Sequence, residues 1–230
     1  MTLPQRLTIP LLLTLNAGYV DTAAFLALQG LFTAHVTGNF VTLGASLVLG
    51  TSGAIAKLLA LPVFCVVVIA TRMLSSAFLQ RNLPALKLIL ALKVALLIVG
   101  AWLAIRLGPF HDGDSWQAVV TGMTLVGAMS IQNAVHRIHL GSAPPSTVMT
   151  LTTTQTMIDL ADIFQGPKPG VGAPAKRFFH MSTNILVFAV GCAAAAIMYA
   201  RIGVWCFVTP PVVGATSLFL RVSAAGAIVE

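Results

Sequence analysis

The sequence predicts an all-α, polytopic membrane protein with six transmembrane helices and two short broken or re-entrant helices, arranged as a 3+3 inverted repeat. Three observations predict it. Charged residues are 8% of the chain against 57% hydrophobic, and the mean hydropathy is +0.94, whereas soluble domains carry about 25% charged residues. The apolar runs, such as LALPVFCVVVIA and ILALKVALLIVGAWLAI, are continuous; a β-barrel needs alternation instead. Finally, polar stretches at 31–44 and 144–156 interrupt the apolar pattern at corresponding places in the two halves.

Apolar segments of about 20 residues are long enough to cross a bilayer, and pieces of about 10–14 are read as half-helices. The first span is expected over residues 7–28, carrying Asn16 and Asp21. Those two polar residues argue for a retained helix rather than a cleaved leader. A short helix follows over 37–49, then a turn at 50–53 and a second span over 55–79. Arg81, Asn82 and Pro84 end that span, and a third covers 86–107. The connector GPFHDGDS (108–115) is acidic, and a fourth span runs over 116–136. The second interruption, HLGSAPPST, leads into a short Thr-rich helix over 147–164. Gly and Pro make 165–176 a loop. The last spans cover 178–200 and 203–220, with a tight turn at Arg201.

Charge chooses between topologies. With both short segments re-entrant, Arg6, Arg81, Lys87, Arg137, Lys168, Lys176, Arg177 and Arg221 fall on one side and Asp112 and Asp114 on the other, Arg201 being the exception. Basic residues mark cytoplasmic ends, so six crossings with both termini cytoplasmic are expected, and eight are disfavoured. The formal charge of +7 comes from basic residues scattered singly at span ends, so no nucleic-acid partner is expected. The halves, 1–107 and 116–222, share one order: span, break with short helix, span, span. HVTGNFVTL aligns with VMTLTTTQT, and Asp21 with the Gln132-Asn133 pair. Inverted repeats with interrupted helices in matching places point to a transport site.

Asp21 is the most informative residue. A carboxylate inside a span costs about 2.5–3.5 kcal/mol on insertion scales, so it should face the bundle interior with a partner. It is either a cation, proton or substrate-amine site or a group that holds the break in place. Thr37 and Asn39 are good N-cap types, and Gly38 permits an unusual backbone angle or close approach. Such a helix start can hold an anionic or polar group, or its residues can simply satisfy orphan backbone groups. His35 can titrate near neutrality and gate the site, or sit at the interface. Gln132, Asn133 and Thr152 are the uncharged counterparts in the second half; interhelical hydrogen bonding and a solute-lining role both explain them. Asp159 and Asp162 share a helix face and are expected to pair with Arg137, Lys168 or Arg177. Arg72 and Lys93 are expected to snorkel toward the cytoplasmic end, the alternative being a counter-charge for an anionic substrate.

Enzyme signatures are missing: no GxSxG, no HExxH and no nucleotide loop occur. Cys65, Cys192 and Cys206 have no metal-type spacing, and His136/His139 is a pair without a third ligand. No enzyme activity, cofactor or metal is therefore expected.

The string AGYVDTAAFLALQGLFTAHVTGNFVTLG resembles the signature of the YoaK family, small bacterial integral membrane proteins of unknown function. Gly18, Tyr19, Asp21, Phe25, Leu26, Gly30, Phe32, His35, Thr37, Gly38, Asn39 and Gly44 carry the match, together with Gln132-Asn133 and the stretch from Thr147. Where a second-half Thr-Gly pair would be expected, this chain has Thr150-Leu151, which implies a less sharply bent second break. The resemblance implies a bacterial inner-membrane location and supplies no substrate.

The leading expectation is a secondary transporter or channel for a small polar or ionic solute. Its site would be Asp21, His35, Thr37, Gly38, Asn39, Gln132, Asn133 and Thr152 around one polar cavity. Membrane lipid is the surrounding partner, and the chain's size suits a homodimer. The rivals are a non-transporting scaffold that binds lipid or a partner protein, and an intramembrane lipid-modifying enzyme using Asp21 and His35 as acid and base.

Overall fold

The computed structural model describes residues 8–166 and 174–219; Arg6, Lys168 and Arg221, used in the charge argument, lie outside the described residues. Eight α-helices are described: α1 (Thr8–Ala27), α2 (Gly38–Leu49), α3 (Ala54–Gln80), α4 (Ala85–Leu107), α5 (Trp116–His139), α6 (Met149–Gln165), α7 (Pro174–Ile202) and α8 (Thr209–Phe219). A 3-10 turn, Gly203–Val208, joins α7 to α8. No strand occurs among the described residues. Five stretches are long and apolar enough to cross a membrane, with 174–219 forming one of them. This is a multi-pass membrane protein.

Contacts fix the direction of each helix. Thr14 bonds Asn184, and Gly18 and Thr22 meet Phe188 and Cys192, so α1 and α7 run parallel. Gly127 faces Val67 while His139 bonds Ser75, so α5 and α3 also run parallel. Leu13 meets Gln132 and Leu28 meets Gly122, which makes α1 and α5 antiparallel. Lys93 meets Gln132 and Gly100 meets Leu125, so α4 opposes α5. Tyr19 reaches Cys206 and Asn16 reaches Pro210, so α8 opposes α1. Helices α1, α4 and α7 therefore run one way and α3, α5 and α8 the other. The chain reverses after Ile202 at Gly203, whose φ is 56°, two residues beyond the turn expected at Arg201.

Close approach is built from small residues. A Cβ on Gly18 would lie 2.3 Å from the Phe188 carbonyl oxygen, and one on Gly191 would lie 2.3 Å from that of Leu15. Backbones can touch at this range only when no side chain intervenes. At the start of α8, Pro210 has no N–H for the Cys206 carbonyl four residues back. The Tyr19 hydroxyl donates to that oxygen instead, at 2.9 Å.

Neither short helix is a simple leg. After α1 the chain turns at Gln29 (φ 55°) and Gly30 (φ 84°) and returns along α1 until His35 meets Asp21. Helix α2 then climbs back, and Lys57 at the head of α3 donates to Ser46 at 2.6 Å. At about 1.5 Å per residue, the 12 residues of α2 span about 18 Å, short of a bilayer core. The second break turns back before Pro144-Pro145 without any positive φ, and α6 runs against α7 through the Asp159–Arg177 ion pair. Asp114 caps α3 by accepting from Gly53 N (2.9 Å) and Ile55 N (2.7 Å).

Charge distribution needs one correction. Arg81, Lys87, Arg137, Lys176 and Arg177 do share one end of the bundle, and Asp112 and Asp114 the other. At the acidic end, however, Lys57 and Arg106 join Arg201.

Candidate functional site

Asp21 is buried six residues before the end of α1. Its Oδ1 accepts from Thr33 N (2.7 Å), Ala34 N (2.7 Å) and Thr33 Oγ1 (3.1 Å). Its Oδ2 accepts from His35 N (3.3 Å) and lies 2.5 Å from His35 Nδ1. A carboxylate has about four lone-pair sites, so these donors occupy it. The returning segment thus folds its free N–H groups around the carboxylate, which secures non-helical backbone at membrane depth.

Asn39 closes the same loop. Its Oδ1 accepts from Phe32 N and its Nδ2 donates to Phe32 O, both at 2.8 Å. Asn39 therefore ties the break across itself rather than capping α2. Thr37 sits at the N-cap position but makes no side-chain cap bond and has helical angles (φ −68°, ψ −22°), so the expected cap is not formed. Gly38 serves close approach, not a positive φ: a Cβ there would lie 3.0 Å from the Phe32 ring.

The second break carries a bridge of its own, in amide and hydroxyl form. Asn133 lies six residues before the end of α5, and its Oδ1 accepts from Thr147 Oγ1 at 2.6 Å. Both Asp21–His35 and Asn133–Thr147 join residues 14 apart. The breaks also lie side by side, with the Thr147 backbone near the His35 ring. Gln132, beside Asn133, is fully buried. Its Nε2 donates to Leu13 O (2.8 Å) and Ser146 Oγ (3.2 Å), and its Oε1 accepts from Lys93 Nζ at 2.5 Å. A polar chain therefore runs from Lys93 to Asp21: hydrogen bonds link Lys93, Gln132 and Ser146, Thr147 follows Ser146 in sequence and lies near the His35 ring, and His35 meets Asp21.

Two expectations change. Lys93 does not snorkel: it is 1% exposed and aimed at Gln132. Arg72, by contrast, is exposed. The expected site residues also do not line one described pocket together. A pocket of about 540 Å³ is lined by Asp21, Thr22, Phe25, Phe32, His35 and Phe188, with Leu26, Gly38 and Cys192. Its walls are mostly apolar and its polar end is the Asp21–His35 pair. Gln132 and Asn133 lie apart from it, and Thr37 and Asn39 do not line it. Thr152, 1% exposed, donates to its own helix at Val148 O (2.8 Å).

Phe188 and Cys192 from α7, and Ser146, have no sequence signal that would mark them. Lys93 has one. Ile89, Leu90, Lys93, Val94, Leu97, Gly100 and Ala101 fall on one helical face and are all buried, and the small residues on that face mark it as the packed one. Arg177 of α7 forms a multidentate pair with Asp159 of α6 and holds that carboxyl below its usual range. Among the described residues no group of three or more His, Cys, Asp or Glu is placed to hold a metal ion.

The family model described as "Protein of unknown function (DUF1275)" matches residues 9–220. No curated protein and no solved structure matches the chain.

Proposed function

Because the chain belongs to the family described as "Protein of unknown function (DUF1275)", a description that assigns no activity, we propose a function from the geometry. The protein is a secondary transporter or channel that binds a small solute where its two breaks meet. One observation carries this reading: the Asp21–His35 and Asn133–Thr147 bridges, equivalent in place and spacing, come together through His35 and Thr147. Broken helices meeting between two repeats are the pattern of alternating-access carriers.

Six crossings and an inverted repeat belong to this reading. Eight crossings would make α1 and α3 parallel, whereas they oppose one another through α5. Pairings also repeat under exchange of halves: α1 with α7 matches α5 with α3, α4 with α5 matches α8 with α1, and α2 with α3 matches α6 with α7. The basic bias at the α3–α4 and α6–α7 ends supports cytoplasmic termini. His35, one-third exposed, is the titratable group that faces the pocket, and Asp21 orients it.

A second reading has its own observation. The apolar walls of the Asp21–His35 pocket, with Phe25 and Leu26 at the outer surface, suit a lipid or other amphiphile. A thermal-shift screen separates the two, because a ligand that binds the folded state raises its apparent stability. Small polar solutes that raise the unfolding midpoint of the wild type, and fail to do so in His35→Ala, support the carrier. Stabilisation by lipids alone favours the second reading and overturns the first.

A further inference from the structure

Lys93 lies at the far end of the polar chain from Asp21, buried on α4 where it packs against α5. A lysine in a span ordinarily runs its stem to the interface and keeps its charge wet; Lys93 is instead 1% exposed. Its bond to Gln132 is imposed rather than incidental. Gln132 must turn its NH₂ toward the Leu13 carbonyl, which can only accept, so its Oε1 is left facing the ammonium. An ammonium has three donors, and the acceptor shown for it is this neutral amide.

Among the described residues no carboxylate pairs with it. The helices packed on α4, namely α3, α5 and α8 with the 3-10 turn, contain no Asp or Glu. Their ionisable groups are Lys57, Cys65, Arg72, His136, Arg137, His139 and Cys206, none of which supplies an opposite charge to balance a lysine. On other described elements, Asp21 is engaged by the first break, Asp114 by the head of α3 and Asp159 by Arg177. Buried charges in proteins are paired. Alongside, on α1, Asn16 packs beside Val94 at Gly214, and its Oδ1 is buried with no hydrogen-bond partner. Among the described residues the layer thus holds a buried lysine with no carboxylate partner and a buried amide oxygen with no donor.

We propose that Lys93 is the charge partner of the transported solute, which is a small monoanion carried with bound water. This assignment rests on the carrier reading. The anion completes the ammonium against Gln132 and Ser146, and the water donates to Asn16 Oδ1. It also gives the two ends of the polar chain separate tasks, with the anion at Lys93 and protonation at Asp21–His35.

The test uses the full-length protein in detergent micelles with sodium chloride, nitrate, formate or acetate, against sodium gluconate at the same ionic strength. At least one of the four anions is expected to raise the wild-type unfolding midpoint relative to gluconate. Lys93→Met should abolish that shift while unfolding cooperatively, because methionine fills a similar volume without a charge. Lys93→Gln gives the same readout if the methionine variant fails to accumulate. A shift that survives both substitutions, or no shift with any of the four anions, overturns the proposal. A neutral or cationic solute moved equally by wild type and Lys93→Met also overturns it, while leaving the carrier reading in place. An anion shift that depends on Lys93, with no flux of any solute, keeps the site and overturns the carrier.

Discussion

Replacing Asp21 with alanine removes the acceptor for five hydrogen bonds at once. The Thr33 hydroxyl can rotate to another acceptor, and the one-third exposed His35 has other ways to satisfy its ring. Thr33 N and Ala34 N cannot: both residues are buried, at 0% and 6% exposure. Each buried unsatisfied donor costs about 1–3 kcal/mol, so Asp21→Ala should destabilise by roughly 2–6 kcal/mol. For a chain of this size about 2–4 °C accompanies each kcal/mol, which gives a fall in unfolding midpoint on the order of 10 °C. Asp21→Asn keeps one acceptor for the Thr33 and Ala34 N–H groups and presents a donor to His35. It should cost only on the order of 1–2 kcal/mol. Intrinsic tryptophan fluorescence during a thermal ramp in detergent measures both variants. Asp21→Ala unfolding at the wild-type midpoint, or Asp21→Asn falling further than Asp21→Ala, would refute the assignment of Asp21 as the anchor of the break.

Gly191→Ala should cost about 1–3 kcal/mol by overpacking, because its Cβ would lie 2.3 Å from the Leu15 carbonyl oxygen; Gly127→Ala, with its nearest neighbour at 3.7 Å, should be neutral or stabilising. A thermal ramp on the two variants checks the contrast. Asn39→Ala leaves Phe32 N–H and C=O unpartnered and should cost roughly 2–4 kcal/mol, with faster proteolysis within 31–38 as the local readout. For Asp159, Arg177 lowers the folded-state pKa. Its stabilisation is therefore full above the unfolded value of about 3.9 and is lost as pH falls through the folded value. The difference in midpoint between wild type and Arg177→Gln should stay constant from pH 7 to about 5 and shrink below about pH 4. A difference that grows on acidification contradicts the pairing.

The spans were legible because hydropathy and length speak directly to the bilayer, and the breaks were legible because Gly30, Thr37-Gly38-Asn39 and Pro144-Pro145 have no place in a continuous spanning helix. Boundaries were less so: α7 begins at Pro174, where composition suggested a loop up to 176. Asp21 was identifiable as buried and partnered from its cost in lipid, but its partners lie 12 to 14 residues on, in a segment whose return path only tertiary folding sets. Lys93 was misread because a long basic side chain can reach either way, and the packing of its helical face decides. For the Thr-rich helix interhelical hydrogen bonding and a solute lining fit the sequence equally well, yet Thr152, Thr154 and Thr156 donate to carbonyls four residues back in their own helix. A hydroxyl with a partner one turn away need not have one across the bundle.

Flux tests the central claim, that a solute passes where the two breaks meet, most directly. Wild-type protein and His35→Ala are reconstituted into liposomes holding a pH-sensitive dye, and small monoanions, cations and neutral solutes are added outside. Uptake of at least one solute by wild-type vesicles, falling to the protein-free level in His35→Ala, is the predicted result. Wild-type vesicles no more permeable than protein-free ones to every solute, or uptake indifferent to His35, would contradict it.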